Sequence, residues 1–267
     1  MDRYEFIDGC FFVLKIKSMK LTLQRKINYN DIDRYYDLKI GAMIRMLQEA
    51  AVLHSEEAGV ASYQLHEQGV SWILNRIRLD IHRYPKLGEE IIISTWSRGI
   101  KGYKAFRDYE IFCHNEKMAS ISSIWLLFNK NQCRIMKIPE DISSCYDMIS
   151  EKACEFDLDT WKPDKKFEPD LTHDITTRIG DYDTNGHVNN AVYFDFIETL
   201  FAPYMTNGRR IFSMNLFFSK EIGSDVSLVS TGSKSGEPGD THFFKLFGPD
   251  ILFACGEAFF KKNFKVI

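Results

Sequence analysis

The stretch that decides the reading runs Asp181-Tyr-Asp-Thr-Asn-Gly-His-Val-Asn-Asn-Ala-Val-Tyr-Phe-Asp-Phe-Ile-Glu-Thr-Leu200. Its second part is the start of a helix. Tyr193, Phe196, Ile197, Leu200, Phe201 and Tyr204 recur at three- and four-residue spacing and make one apolar stripe. Its first part is a polar turn leading into that helix, with Asp181 and Asp183 two residues apart. The same layout occurs once before. A strand-like alternation over 21–27 leads to a polar turn with Asp31 and Asp33. Ile40, Met43, Ile44, Leu47, Ala50, Ala51, His54 and Ala58 then mark a long helix closed by Gly59.

Each helix is followed by strand patterns, over 73–81, 91–96, 105–112 and 121–128 in the first half and 212–218, 226–230, 242–247 and 252–260 in the second. The turn Arg83-Tyr-Pro-Lys-Leu-Gly-Glu has its parallel in Lys220-Glu-Ile-Gly-Ser-Asp-Val. Correspondences in the same order point to one strand–helix–sheet unit used twice. The predicted class is α+β, two long helices each wrapped by an antiparallel sheet. The expected organisation is an N-terminal extension over 1–18, a first unit over 19–138, a linker over 139–170 with a short helix near 147–154, and a second unit over 171–267. Met19 is an alternative natural start.

Length and composition agree. The 267 residues allow two domains or one large one, and 45% hydrophobic with 27% charged residues excludes global disorder. A net charge of -3 leaves no footprint for nucleic acid. No run is long enough for a membrane span or a signal-peptide core. The six cysteines show no CxxC spacing, so reduced thiols and a cytoplasmic protein are expected, without a metal or cofactor. No GxSxG, GxxxxGK[ST] or HExxH motif occurs, and Gly232-Ser-Lys-Ser-Gly236 reads as a hairpin between strands.

Taken singly, Asp183 and Asn185 have the ordinary reading of turn or cap residues, and His187 that of a structural histidine. Capping, however, would serve both copies alike, and only the second combines Asn185, His187, Asn189 and Asn190. The first has Arg34-Tyr-Tyr-Asp instead. A helix N-terminus presents unpaired N–H groups suited to a developing oxyanion. A histidine there can move a proton near neutral pH.

The run DYDTNGHVNNAVYFDFIETL resembles the D-x-N-x-H-V-N-N-x-x-Y motif of acyl-acyl-carrier-protein thioesterases. The likeness extends from about Met19 through Leu47-Gln-Glu-Ala-Ala-Val-Leu-His54, Trp72-Ile-Leu-Asn-Arg76 and Trp125-Leu-Leu-Phe-Asn-Lys130 with Lys137-Ile-Pro-Glu140. It implies a tandem (double) hot dog fold, in which the first unit binds the acyl chain and the second is catalytic. It implies a thioester hydrolase whose Asp183 holds the geometry, whose Asn185 places the thioester, and whose His187 and Glu221 activate water or shuttle protons. Plant members often carry a cysteine after this glutamate. Here the position is Ile222, which puts a Cys–His mechanism in doubt and leaves Cys255 a remote candidate.

The implied partner is acyl carrier protein bearing a phosphopantetheine-linked acyl chain, with the enzyme a monomer or homodimer. An acyl-CoA thioesterase and a non-catalytic acyl-thioester sensor stand as alternatives. Met43, Met46 and Leu47 are candidate walls for the acyl chain or plain core. Arg98, Lys101, Lys104, Arg107, Arg209 and Arg210 are candidates for a basic docking patch, or simply solvated surface.

Overall fold

The alternating and helical periods resolve into two copies of one unit, laid edge to edge. The computed structural model describes residues 3–7, 10–14, 20–206, 208–236 and 240–262. Within the expected extension, β1 (Arg3–Ile7) and β2 (Cys10–Leu14) pair antiparallel as a small sheet of their own. The first unit holds β3 (Leu21–Lys26), α1 (Ile40–Glu57), a short α2 (Ser62–Glu67), β4 (Val70–Ile81), β5 (Glu90–Lys101), β6 (Lys104–Cys113), β7 (Glu116–Asn129) and β8 (Arg134–Met136). After α3 (Glu140–Ser143), the second unit holds β9 (Leu171–Thr176), α4 (Asn190–Phe201), β10 (Arg210–Phe218), β11 (Leu228–Ser235), β12 (Thr241–Gly248) and β13 (Ile251–Lys261).

The strands form one sheet in the order β3-β5-β6-β7-β4-β10-β13-β12-β11-β9, with β8 on β7. Read from either edge, the order is the same if β9 stands for β3, β10 for β4, and so on to β13 for β7. The duplication seen in the sequence is therefore a two-fold arrangement about the antiparallel β4–β10 seam. There Leu79 faces Met214 and Ile77 faces Leu216. These four are at most 3% exposed and turn toward the helices, while Arg78 and Asp80 alternate to the other face and bond Asn215 and Ser213.

α1 and α4 lie side by side, and one core joins both units through Met43, Leu47, Phe194 and Ile197. Full burial of such side chains is worth about 1.5–3 kcal/mol each. The close approach of the helices uses Gly41. A Cβ there would stand 1.9 Å from Asp195 Oδ1, and Asp195 is held by Arg45 of α1. The stretch 139–170 starts on the helix side, where Tyr146 bonds Ser55 of α1, and from about Glu151 straps the face of the first half-sheet away from the helices. Arg76 donates to the carbonyls of Leu158, Asp159 and Trp161, and Trp96 Nε1 donates to Glu151 O. Its helix is α3, not the expected 147–154, because Glu140 and Asp141 supply an acidic first turn directly after Pro139. Gly232 to Ser235 lies inside β11, paired with β12, so the expected hairpin sits further along the chain.

Candidate active site

The turn before each helix is built by the same hydrogen bonds. In the second unit Asp183 N donates to His187 O (2.8 Å), Gly186 N to Asp183 O (3.0 Å), Val188 N to Ile222 O (2.9 Å) and Asn189 N to Asp181 O (2.8 Å). In the first, Asp33 N donates to Asp37 O (2.8 Å), Tyr36 N to Asp33 O (3.1 Å), Leu38 N to Pro85 O (2.8 Å) and Lys39 N to Asp31 O (2.9 Å). Gly186 and Tyr36 share the left-handed backbone region, at φ 76° and 64°, which glycine enters without the strain a tyrosine bears. Asp183 Oδ1 accepts from Asn185 N (2.8 Å) and His187 N (3.5 Å), as Asp33 Oδ1 accepts from Tyr35 N (2.8 Å) and Asp37 N (3.1 Å). This aspartate does the same turn-holding work in both copies.

The matching hydrogen bonds set Asn185 against Tyr35, His187 against Asp37 and, one residue before Ile222 and Pro85, Glu221 against Tyr84. In the first unit these positions are closed. Asp37 pairs with Lys86 (2.8 Å) and with the buried Arg210 (3.6 Å), which lies over the Tyr35 ring at 4.0 Å. Tyr84 donates to Ile211 O at 2.6 Å, and burial pushes its phenol well up. The N-terminus of α1 is closed as well. Glu198 of α4 accepts from Ile40 N (3.1 Å) and Gly41 N (3.3 Å), and burial pushes this carboxyl up to about 7.

The second unit is open where the first is closed. Asn189 caps α4 by accepting from Ala191 N at 2.9 Å. Gln48 stands eight positions after Ile40, as Glu198 does after Asn190, and lines a cavity of about 710 Å³. Ala51, Val52 and Ser55 of α1, Leu65 of α2, and Trp72 and Trp125 of the sheet contribute its walls. Asp183, Asn185, Asn189 and Asn190 form its rim. The walls thus come from the first unit and the rim from the second. Met43 and Leu47 are 0% and 2% exposed in the core, with Met46 packed against it, so of the two readings it is plain core and not cavity wall that holds for them. The apolar stripe faces α4, and the next strip of α1 faces the cavity.

His187 and Glu221 lie beside the rim, outside the cavity lining. Backbone pairing of His187 with Gly223 brings the strand-end segment 220–223 alongside the turn. Tyr193, in the apolar stripe of α4, pins that segment. Its hydroxyl accepts from Ile222 N at 3.1 Å and donates to Lys220 O at 3.5 Å, and burial pushes the phenol up. Lys130, after β7, donates to Asn185 Oδ1 at 2.8 Å and lies 3.0 Å from His66 Nδ1. With its oxygen so occupied, Asn185 is left its Nδ2 hydrogens to offer. Sequence reasoning missed Gln48, Lys130 and the hydroxyl of Tyr193. Lys130 lay within a quoted motif, and Tyr193 was legible only as part of a stripe.

Cys255 is buried in β13, paired to β10, and burial pushes its thiol up to about 11. Cys113, Cys133, Cys145, Cys154 and Cys255 are free thiols, and of these only Cys133, on the turn with Lys130, is exposed. Among the described residues no His, Cys, Asp and Glu side chains group as metal ligands. The expected docking patch needs correction. Arg107 is 9% and Arg210 1% exposed, both held in the interior by partners distant in sequence. Arg98 faces Asp108, Lys104 pairs with Asp159, and Arg209 with Asp240.

Two family models cover most of the chain: "Acyl-ACP thioesterase N-terminal domain" over residues 19–146 and "Acyl-ACP thioesterase C-terminal domain" over 164–244. The chain belongs to the acyl-ACP thioesterase family. A chloroplastic acyl-[acyl-carrier-protein] hydrolase FATB2 of Cuphea viscosissima is 26% identical over 205 residues, 72% of this chain and 49% of its own. The chain thus spans about half the length of that curated relative. An acyl-ACP thioesterase from Bacteroides thetaiotaomicron superposes with a TM-score of 0.81 at 18% identity, covering 91% of this chain and 98% of that one. The 12:0-ACP thioesterase from Umbellularia californica gives a TM-score of 0.81 at 18% identity, over 92% and 98%. The fold shared with these acyl-ACP thioesterases is the expected tandem hot dog. No helix among the described residues is long and apolar enough to cross a membrane.

Proposed function

We infer that this acyl-ACP thioesterase family member hydrolyses the thioester of acyl-acyl-carrier-protein, releasing a free fatty acid and the carrier's phosphopantetheine thiol. The observation that carries the reading is a cavity walled by one unit whose rim is the catalytic-type turn and helix N-terminus of the other. In this reading the acyl chain lies between α1 and the first half-sheet, and its thioester rests against the α4 N-terminus. Asn185, its oxygen held by Lys130, donates Nδ2–H to the thioester carbonyl. Ala191 N–H is already taken by Asn189, which makes Asn185 and the first amide of α4 the donors for a tetrahedral oxyanion.

His187 or Glu221 takes a proton from water as its oxygen attacks the carbonyl carbon. The C–S bond then breaks, and the proton passes to the departing sulfur. Asp183 holds the turn and touches no reacting atom. The carrier protein docks at the rim, and the buried Arg107 and Arg210 do not form its surface. A thiol-release assay over carrier-protein thioesters of varied chain length tests the reading. Equal or greater turnover of the matching CoA esters would overturn the carrier-protein assignment, and tight binding without thiol release would overturn hydrolysis.

A further inference from the structure

The cavity has an unusual far end for a fatty chain. Arg107 is on β6 opposite Ser123 of β7, and Lys130, the residue that reaches the rim, follows Asn129 at the end of β7. Six residue steps along β7 separate Asn129 from Ser123, roughly 20 Å at about 3.3 Å per residue. Arg107 therefore lies deep, at the end of the cavity remote from the thioester, and it is 9% exposed.

Its partners are neutral. Arg107 Nη1 donates to His54 Nδ1 at 2.8 Å and to Thr95 Oγ1 at 3.2 Å. Among the described residues no carboxylate lies within 4.0 Å of it. Asp108, its neighbour in sequence, alternates to the other face of the sheet and meets Arg98. The glutamates that line the cavity, Glu56 and Glu67, are exposed. More polar groups gather at the same end. Tyr146 donates to Ser55 Oγ at 2.9 Å beneath the guanidinium. A buried guanidinium facing only neutral groups is costly in an apolar space unless an acceptor comes to it. A methyl-ended chain brings no acceptor.

We propose that the cavity floor around Arg107 is a binding site for an oxygen-bearing far end of the acyl chain, a hydroxyl or carboxylate remote from the thioester. This rests on the acyl chain occupying the cavity, as in the proposed function. The two walls then divide the work. The middle of the chain meets Ala51, Val52 and Trp125, and its end is read by charge-assisted hydrogen bonds.

The test compares carrier-protein thioesters of matched length ending in methyl, ω-hydroxyl or ω-carboxyl groups, over a series of lengths. The oxygenated chains are expected to lead in kcat/KM by about tenfold or more at the best-fitting length, the scale of a hydrogen bond to a charged partner. Arg107→Met should erase or reverse that lead. A lead of the carboxyl over the hydroxyl chain supports ion pairing, and the reverse order supports hydrogen bonding. A methyl-ended chain preferred by the unaltered enzyme at every length overturns the proposal without recourse to a variant. If no ester is cleaved, it is the hydrolase reading that fails. Equilibrium binding of the free methyl-ended and ω-hydroxy acids to the same protein then decides the floor, with equal affinities refuting it.

Discussion

Removing one oxygen from Tyr193 tests how the site is held. The Tyr193→Phe change keeps the ring and its edge contact with Phe218, whose centroid is 5.1 Å away. It deletes the acceptor for Ile222 N–H and the weak 3.5 Å bond to Lys220 O. Ile222 is 0% exposed, so water does not replace the lost acceptor, and an unsatisfied buried N–H costs about 1–3 kcal/mol. That sum has two places to appear. If the segment 220–223 stays in place, global stability falls by this amount in denaturant unfolding. If the segment relaxes to find water, Glu221 leaves its station beside His187. The loss then shows in kcat, up to about five- to 150-fold for 1–3 kcal/mol, with KM little changed. Thiol release and urea unfolding, measured on the same preparation, account for both routes. Unchanged kcat together with unchanged stability would refute the claim that this hydroxyl holds the strand end.

Glu198→Gln should flatten a pH dependence of stability. A carboxyl raised to about 7 binds its proton more tightly in the folded than in the unfolded chain, so its contribution is fullest below the ordinary glutamate range and declines as pH rises toward 7. Unfolding at pH 5 and pH 7.5 compares the slopes, and equal slopes for both proteins would sink the assignment. Lys130→Met should lower kcat more than it raises KM, since it frees the Asn185 oxygen, and Lys130→Arg should restore part of the loss. A change in KM alone would mark Lys130 as a docking group instead. Glu221→Ala and His187→Ala should each cost about 10²–10⁴ in kcat, the usual range for a general base or acid. Replacing all cysteines by serine, exposed Cys133 included, should leave turnover near normal, and its loss would revive a thiol nucleophile.

The fold was legible because its signals are local and repeated. The three–four spacing from Ile40 to Ala58 anticipated α1 (Ile40–Glu57), and the paired aspartates anticipated two equal turns. The turns at Arg83 and Lys220 corresponded in sequence and correspond in space, each giving a carbonyl to the residue before the helix cap. What failed depended on contacts distant along the chain. Arg107 and Arg210 read as surface because arginines usually are solvated. One is drawn inside by His54 and Thr95 and the other by Asp37 and the Tyr35 ring. Met43 and Leu47 read as tunnel wall or plain core alike, because periodicity names an apolar face and does not say what it meets. α2 (Ser62–Glu67) was missed because six residues carry too little pattern. Lys130 reaches Asn185 across 55 positions, a separation at which sequence carries no spacing signal.

The closure of α1 by Glu198 bears on how this protein can change. In a homodimer of one such unit, every substitution is made twice, and a mutation that enlarges a wall also alters the turn that faces its twin. Here the two roles are written in separate stretches of one chain. Ala51, Val52 or Arg107 can vary without touching Asp183 to Asn190, while the space between α4 and the second half-sheet is filled by Phe201, Phe244 and Phe260. With wall and turn encoded apart, the shape of the cavity can drift while the turn at Asp183 to Asn190 stays fixed.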